Sequence, residues 1–167
     1  MKRALTALTI GCVLPALLFA HEMVRDTATV QIGKGKVTIE YGTPKLKGRN
    51  IDELIKPGMA WRMGMDDPTT LETTIPLHFG EKNVLPAGKY ILFARQDEKK
   101  NWALLIAKAT APRFSPEAVV LEVPLHFMKD GKPEEVLKIT LEKAGESVSL
   151  LVAWGTYRLH GVFKAAA

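Results

Sequence analysis

The feature that most constrains this chain is the alternation of apolar and polar residues at a spacing of two. Val37, Ile39 and Tyr41 follow this period, and it recurs from Leu137 to Leu141 and from Val148 to Trp154. Successive side chains of a β-strand point to opposite faces, so the period is typical of strands that bury one face. The further strand candidates are Ala28–Ile32, Ala60–Met63, Leu71–Phe79, Tyr90–Arg95, Trp102–Ala107, Val119–Met128 and Tyr157–Phe163.

Turn-forming residues separate these segments. Gly33–Lys36 and Pro86–Gly88 have the composition of tight turns, and Asp97–Asn101 and Asp130–Pro133 that of polar loops. Only Ile51–Ile55 looks helical, and a proline–glycine pair ends it after little more than one turn. The sequence therefore predicts an all-β fold, an antiparallel, jelly-roll-like β-sandwich of about ten short strands with at most one short helix.

The N-terminus has the composition of an export signal. Two basic residues precede an uncharged apolar run, Ala4–Ala20, which Pro15 interrupts. The run is shorter than the roughly 20 apolar residues that a membrane-spanning helix needs, so a permanent membrane anchor is the weaker interpretation. We predict a signal peptide over 1–20 and a single domain over 21–167, located in the periplasm or outside the cell.

Cysteine content and charge narrow the class of protein. Cys12 is the only cysteine and lies in the predicted signal, so the mature domain depends on its apolar core rather than on disulfides. Lipid attachment at Cys12 would leave an exposed apolar tail, and we therefore favour cleavage after Ala20. The formal net charge of +5 includes Lys2 and Arg3, which leaves +3 on the mature chain. This mild charge favours solubility and indicates no nucleic-acid partner, and the basic stretch Lys45–Arg49 is typical of a solvated loop.

Seven short segments carry a resemblance to a known family. They are Ile39–Pro44, Lys47–Arg49, Trp61–Gly64, Thr69–Thr70, Leu85–Tyr90, Trp102 and Val152–Trp154. In this order they resemble the bacterial family known as domain of unknown function 2911, over nearly all of the mature chain. The resemblance implies a secreted or periplasmic all-β domain without an established activity. Met65 and Asp66 stand where members of that family usually carry alanine and a small polar residue, which would alter the shape of a pocket there.

The first candidate site is a ligand-binding cluster of Arg49, Trp61 and Arg62, with Asp66 and Thr69 close behind. Arginine binds a carboxylate or phosphate through two parallel hydrogen bonds, and tryptophan offers a flat face to a ring. If the segment around Trp61 is a strand, Trp61 and Arg62 point to opposite faces, and one of them faces the core. The alternative is structural, with Trp61 in the core and the arginines paired with carboxylates that hold loops in place.

The histidines form the second candidate site. Cleavage after Ala20 would make His21 the mature N-terminus, whose free amine and imidazole could chelate copper together. His78, His126 and His160 lie on the polar sides of their predicted strands and could complete such a metal site. The alternative is a histidine on a frayed terminus without a ligand.

Three functions follow from these sites. The first is a non-enzymatic module without a cofactor, which binds a small molecule or a protein partner through the Arg/Trp cluster. The second is a copper-binding protein that uses His21. The third is a hydrolase-type enzyme, which the sequence supports least, because it has no Gly-x-Ser-x-Gly elbow and no cysteine outside the predicted signal.

Overall fold

The computed structural model describes residues 24–110 and 113–166, so the predicted signal peptide and His21 lie outside the described residues. Within them the chain forms ten strands, one α-helix and one 3₁₀ turn, which confirms the all-β class and the single short helix. The helix α1 spans Ile51–Leu54, and the 3₁₀ turn spans Pro116–Ala118. The strands are β1 (Arg25–Ile32), β2 (Gly35–Gly42), β3 (Ala60–Trp61), β4 (Thr70–Thr73), β5 (Leu77–Phe79), β6 (Asn83–Leu85), β7 (Gly88–Gln96), β8 (Trp102–Lys108), β9 (Val119–Ala144) and β10 (Ser147–Ala165).

All ten strands pair in one antiparallel sheet. Its order is β1-β2-β4-β7-β8-β9-β10-β5-β6, and β3 pairs with β7 beside this path. One apolar core cluster draws members from distant strands, among them Val30 of β1, Ile39 of β2, Leu104 of β8 and Val152 of β10. Strands so far apart in the order share a core because the sheet curls over on itself and buries its inner face.

A tyrosine links the two sides of this curl. The hydroxyl of Tyr41 in β2 accepts a hydrogen bond from the backbone N–H of Ile139 in β9 at 3.0 Å. The same hydroxyl lies 3.1 Å from a carboxylate oxygen of Asp26, to which it donates. Burial raises the pKa of Tyr41, so the hydroxyl keeps its proton and the link stays neutral.

Two strands are longer than predicted, because β9 has 26 residues and β10 has 19. The segment Asp130–Pro133, expected to be a loop between strands, lies inside β9. Lys129 pairs with Tyr157 and Glu134 with Gly155, so the residues between them in β9 bulge out of the ladder. Gly155 has a φ of +53°, a conformation that glycine adopts without steric cost. A bulge thus absorbs the polar segment, and the strand continues through it.

The strands β7 and β8 are buried on both faces. Ile91, Phe93, Leu105 and Ala107 form a second, outer apolar cluster, against which the segment around the 3₁₀ turn packs. Phe114 of that segment meets Phe93 edge-on at a ring-centroid distance of 5.2 Å. This cover explains why the sequence of β7 and β8 shows continuous apolar runs rather than alternation.

Candidate functional site

A cavity of about 650 Å³ opens where the loop after β2, the helix α1 and the loop after β3 meet β10. We call it the Trp154 cavity. Its volume lies within the range of about 300–1,000 Å³ that is usual for small-molecule sites. It is lined by Val24, Thr43, Pro44, Lys45, Lys47, Arg49, Leu54, Gly64, Met65 and Trp154.

Two stacked indoles lie at this cavity. Trp154, which is 5% exposed, stacks on Trp61 of β3 with ring centroids 5.8 Å apart and ring planes 13° from parallel. The indole N–H of Trp154 is buried and has no hydrogen-bond acceptor among the described residues. A buried donor without an acceptor costs about 1–3 kcal/mol.

The rim of the cavity is basic. Lys45, Lys47 and Arg49 line it and are exposed. Within the described part of the chain none of the three forms an ion pair with a carboxylate. Three cations that form no ion pair in the described residues attract an anion to the opening.

Arg49 is held in place by its own loop. Its Nε donates to the carbonyl of Leu46 at 2.8 Å, and one Nη donates to the carbonyl of Lys45 at 2.8 Å. A guanidinium has five N–H donors, so these two bonds orient the group and leave donors for a ligand.

The loop that carries the basic residues is joined to β9. The backbone N–H of Leu46 donates to the carbonyl of Glu135 at 2.9 Å, and that of Leu137 donates to Pro44 at 3.0 Å. The side chain of Glu135 also accepts from the backbone N–H of Lys47 at 2.8 Å. These bonds hold the rim in one conformation, which lowers the conformational entropy that ligand binding would cost.

Two glycines bring the loop after β3, which forms one wall of the cavity, close to β2. A Cβ at Gly42 would lie 2.4 Å from the carbonyl oxygen of Met65, and one at Gly64 would lie 2.7 Å from Oγ1 of Thr69. Thr69 is fully buried and donates to the carbonyl of Met63 at 2.9 Å. The loop after β3 therefore packs against the end of β2 only because both positions lack a side chain.

The structure separates the predicted ligand-binding cluster. Arg49 lines the cavity, and Trp61 lies behind it as the stacking partner of Trp154. Arg62 is exposed and donates to the backbone carbonyl of Asp66 at 2.9 Å, within its own loop. Trp61 and Arg62 do not line the cavity, and the buried Thr69 supports the loop after β3. Trp61 is buried and Arg62 is exposed, but β3 ends at Trp61, so strand alternation does not explain the difference. Both arginines donate to backbone carbonyls of their own loops rather than to carboxylates.

Sequence reasoning missed the residues that accompany Arg49. The alternation from Val148 assigned Trp154 to the apolar face, which is correct, but gave no sign that a cavity adjoins it. Lys45 and Lys47 were interpreted as parts of a solvated loop. The signal that could have identified these residues is the density of positive charge from Lys45 to Arg49, directly after Pro44.

A family model described as "Protein of unknown function (DUF2911)" matches residues 24–161. The chain belongs to the DUF2911 family. No curated protein and no solved structure matches it. The matched range of this DUF2911 chain includes every residue that lines the Trp154 cavity.

Two pKa shifts in this DUF2911 domain belong to a hydrogen-bonded pair, Asp52 of α1 and Tyr157 of β10. Burial, together with a hydrogen bond to Asp52, raises the pKa of Tyr157 far above its usual value. The hydrogen bond from Tyr157, followed by that from Lys129 at 3.0 Å, lowers the pKa of Asp52. The hydrogen bonds from Lys129 and Tyr157 to Asp52 tie α1 to β9 and β10. They thereby position Leu54, which lines the cavity.

The predicted metal ligands of the DUF2911 chain are also separated. His126 of β9 and His160 of β10 are direct partners across the ladder, whereas His78 of β5 pairs with Lys164, farther along β10. Four residues of a strand span about 13 Å, so His78 is not in reach of the pair. In the described ranges no three histidine, cysteine or carboxylate side chains are close enough to hold a metal ion together. The described residues also contain no helix of the length and apolar character needed to cross a membrane.

Proposed function

We propose that this DUF2911 protein is an exported, non-enzymatic module that binds a small organic anion in the Trp154 cavity. The ligand has a flat apolar body and a carboxylate or phosphate group. The observation that carries the proposal is one cavity that combines a buried indole with three cations that lack a carboxylate partner among the described residues.

The apolar part of the ligand is assigned to the inner wall. Trp154, Leu54, Met65 and Pro44 line one continuous space. An aromatic ring packed on an indole gains about 0.5–1.5 kcal/mol beyond the burial of its area. Trp61 fixes the plane of Trp154 from behind, so the stacking surface is formed before the ligand arrives.

The anionic group is assigned to the rim. Arg49 offers the donors that its loop does not use, and a charge-assisted hydrogen bond contributes about 1.5–3 kcal/mol. The ionisable groups that line the cavity are all cationic, which suits anion binding better than proton abstraction from a substrate. This balance favours a binding module over the hydrolase hypothesis.

Export is supported by the N-terminal sequence, with its two basic residues and the apolar run Ala4–Ala20. Mass spectrometry of the protein recovered from each cell fraction tests it. We expect the periplasmic or secreted product to begin at His21. A product that keeps residues 1–20 and stays in the cytoplasm would contradict the proposed location.

The ligand chemistry is tested by the melting temperature of the purified protein with three related probes. Naphthoate and naphthyl phosphate carry the apolar body and the charge, whereas naphthamide carries the body alone. We expect the two anions to raise the melting temperature more than the amide, because only they engage the rim. Equal shifts for all three, or no shift for any, would refute the assignment.

Two pairs of variants locate the binding. Arg49→Ala should weaken naphthoate binding by about tenfold or more, whereas Arg62→Ala, which also removes a loop arginine, should leave it unchanged. Lys47→Glu should weaken it as well, and Lys34→Glu, in the hairpin turn, should not. Arg49→Lys keeps the charge and serves if the alanine variant fails to fold. Retained affinity in both Arg49→Lys and Lys47→Glu would place the ligand elsewhere.

A further inference from the structure

We propose that His126 and His160 form a second, separate site, a two-histidine site for copper(II). The two residues are cross-strand partners in β9 and β10. They lie at the edge of a cleft of about 770 Å³, which both of them line. None of the residues that line this cleft lines the Trp154 cavity.

The cleft exists because the sheet forks at this pair. The pairing of β9 with β10 ends at His126 and His160. Beyond it, β9 continues alongside β8, where Leu125 pairs with Trp102, and β10 reaches β5, where Lys164 pairs with His78. The turn from Phe79 to Asn83 closes the space between the diverging strands.

The distance between the two imidazoles suits one shared ion. Their ring centroids lie 6.5 Å apart with the ring planes 50° from parallel. With a metal–nitrogen bond of about 2.0–2.1 Å, two imidazoles on one ion have centroids at most about 6.5 Å apart. The observed separation equals this maximum, which corresponds to the two rings on opposite sides of the ion, so both side chains must rotate to aim their nitrogens at it. The ladder holds the two backbones in register while the rings turn.

Both imidazoles are available to a ligand. His126 is exposed and His160 is half-buried. Among the described residues neither ring forms a side-chain hydrogen bond or an ion pair. Glu81 and Lys82 line the same cleft, and their opposite charges offset one another, so the imidazoles themselves carry the binding.

The chemistry of the donors selects the ion. Imidazole is a good ligand for copper, zinc and nickel, and among these divalent ions a given nitrogen site binds copper(II) most tightly. Two protein ligands leave coordination positions for water or a small molecule from the cleft. The site therefore holds an accessible, exchangeable ion rather than a buried structural one.

The test is a copper(II) titration of the protein that begins at His21. Calorimetry and electron paramagnetic resonance monitor the binding. We compare the wild type with His126→Ala, His160→Ala and His78→Ala, the last as a matched control on a neighbouring strand. Any copper bound at the N-terminal His21 is common to all four proteins and cancels in the comparison.

We expect His126→Ala and His160→Ala each to lose one bound copper, with an affinity at this site about 100-fold lower, because the chelate effect is gone. The resonance spectrum of that copper should show couplings from two imidazole nitrogens in the wild type. His78→Ala should match the wild type in both respects. Unchanged stoichiometry and affinity in both pair variants would overturn the proposal. Naphthoate binding stays intact in these variants whichever way the copper result falls, so the two proposals fail separately.

Discussion

Two hairpins of this protein, β1–β2 and β9–β10, follow the same alternation rule and reach different outcomes. In β1–β2 the register runs from Arg25 opposite Gly42 to Ile32 opposite Gly35 without a shift. In β9–β10 it shifts on both sides of Gly155. An uninterrupted ladder produces a plain sheet surface, whereas bulges bend strands and redirect side chains, and they are frequent beside functional sites.

Both proposed sites lie where the β9–β10 ladder is interrupted. Trp154 lies at the first register shift, between Ala153 and Gly155, and the His126–His160 pair is the last before the strands diverge. The comparison teaches that both hairpins supply core residues, whereas only the irregular one relies on a bulge beside the residue that it places at a cavity. Four substitutions test this division of roles, from the largest expected effect to the smallest.

Arg158 holds the bulge, so its loss should be the most damaging. It is 7% exposed and donates to the carbonyls of Gly155 at 3.0 Å, Tyr157 at 2.9 Å and Lys132 at 2.6 Å. Arg158→Ala leaves these acceptors without their donor and should lower the free energy of unfolding by about 3 kcal/mol. Arg25→Ala, which removes two longer bonds to carbonyls from the regular hairpin, should cost under about 1 kcal/mol.

Urea unfolding of both variants checks this difference. Arg158→Lys, which keeps the charge but not the fork of donors, should fall between wild type and the alanine variant. Equal losses for the two alanine variants would show that the bulge does not depend on Arg158.

Two glycines with positive φ separate conformational strain from packing. Gly155 has a φ of +53° and Gly33, in the β1–β2 turn, a φ of +59°. An added Cβ at Gly33 would meet nothing within 4 Å, whereas at Gly155 it would lie 3.1 Å from Cβ of Ile51 in α1. We expect Gly33→Ala to cost about 1 kcal/mol and Gly155→Ala about 2 kcal/mol or more, measured by urea unfolding.

The excess at Gly155 should shrink when Ile51→Ala is added, because that substitution removes Cγ2 and Cδ1, two of the three Ile51 atoms that crowd the new Cβ. Additivity of the two changes would mean that the contact with α1 does not limit this position.

Tyr41 is the hydrogen-bonded link between the two hairpins. Tyr41→Phe leaves the N–H of Ile139 without the hydroxyl that accepts from it, which should cost about 1.5 kcal/mol. Tyr90→Phe removes a hydroxyl that donates to the exposed carbonyl of Pro86 at 3.0 Å, and its cost should be close to zero. Thermal unfolding of the two variants measures the difference. Equal melting temperatures would show that the Tyr41 hydroxyl does not stabilise the closed sheet.

Asp52 should give the smallest effect, confined to acid. The hydrogen bond from Tyr157 and then that from Lys129 lower the pKa of Asp52 in the folded protein. A lowered pKa means that the stabilisation is complete above the unfolded value of about 3.9 and is lost as the pH falls through the folded value.

Asp52→Asn should therefore cost under about 1 kcal/mol at neutral pH, because the carboxyl is largely exposed, and should flatten the loss of stability below about pH 4. Urea unfolding at a series of pH values checks this. If the free energy of unfolding falls as steeply below about pH 4 in Asp52→Asn as in the wild type, the titration of another group causes that loss.

How far the sequence predicted this fold depends on whether each signal is local. Alternation identified β2 and parts of β9 and β10, because the side chains of successive strand residues point to opposite faces. The glycine–lysine turn at residues 33–36 was correct, whereas the similar polar stretch Asp130–Pro133 lies within β9. Turn residues mark where a chain can bend, and whether the strand ends there depends on the partner strand, which lies far along the sequence.

The candidate sites divide in the same way. Arg49 was selected for its chemistry and lines the cavity, whereas Arg62 has the same chemistry and is turned toward its own loop. His126 and His160 were each placed on a polar face, but nothing in their local sequence shows that they are opposite one another. The register of two strands sets that contact, and register is a property of the pair.

The sequence by itself determined the β-structure, the faces of most strands and the chemical character of each face, because these follow from neighbouring residues. Only the tertiary structure decided which basic residues surround Trp154, which histidines meet and where the ladder breaks. Those outcomes depend on contacts between segments that are distant in the sequence, such as Tyr41 and Ile139, which are 98 residues apart. Such contacts form only when the whole sheet closes around its core.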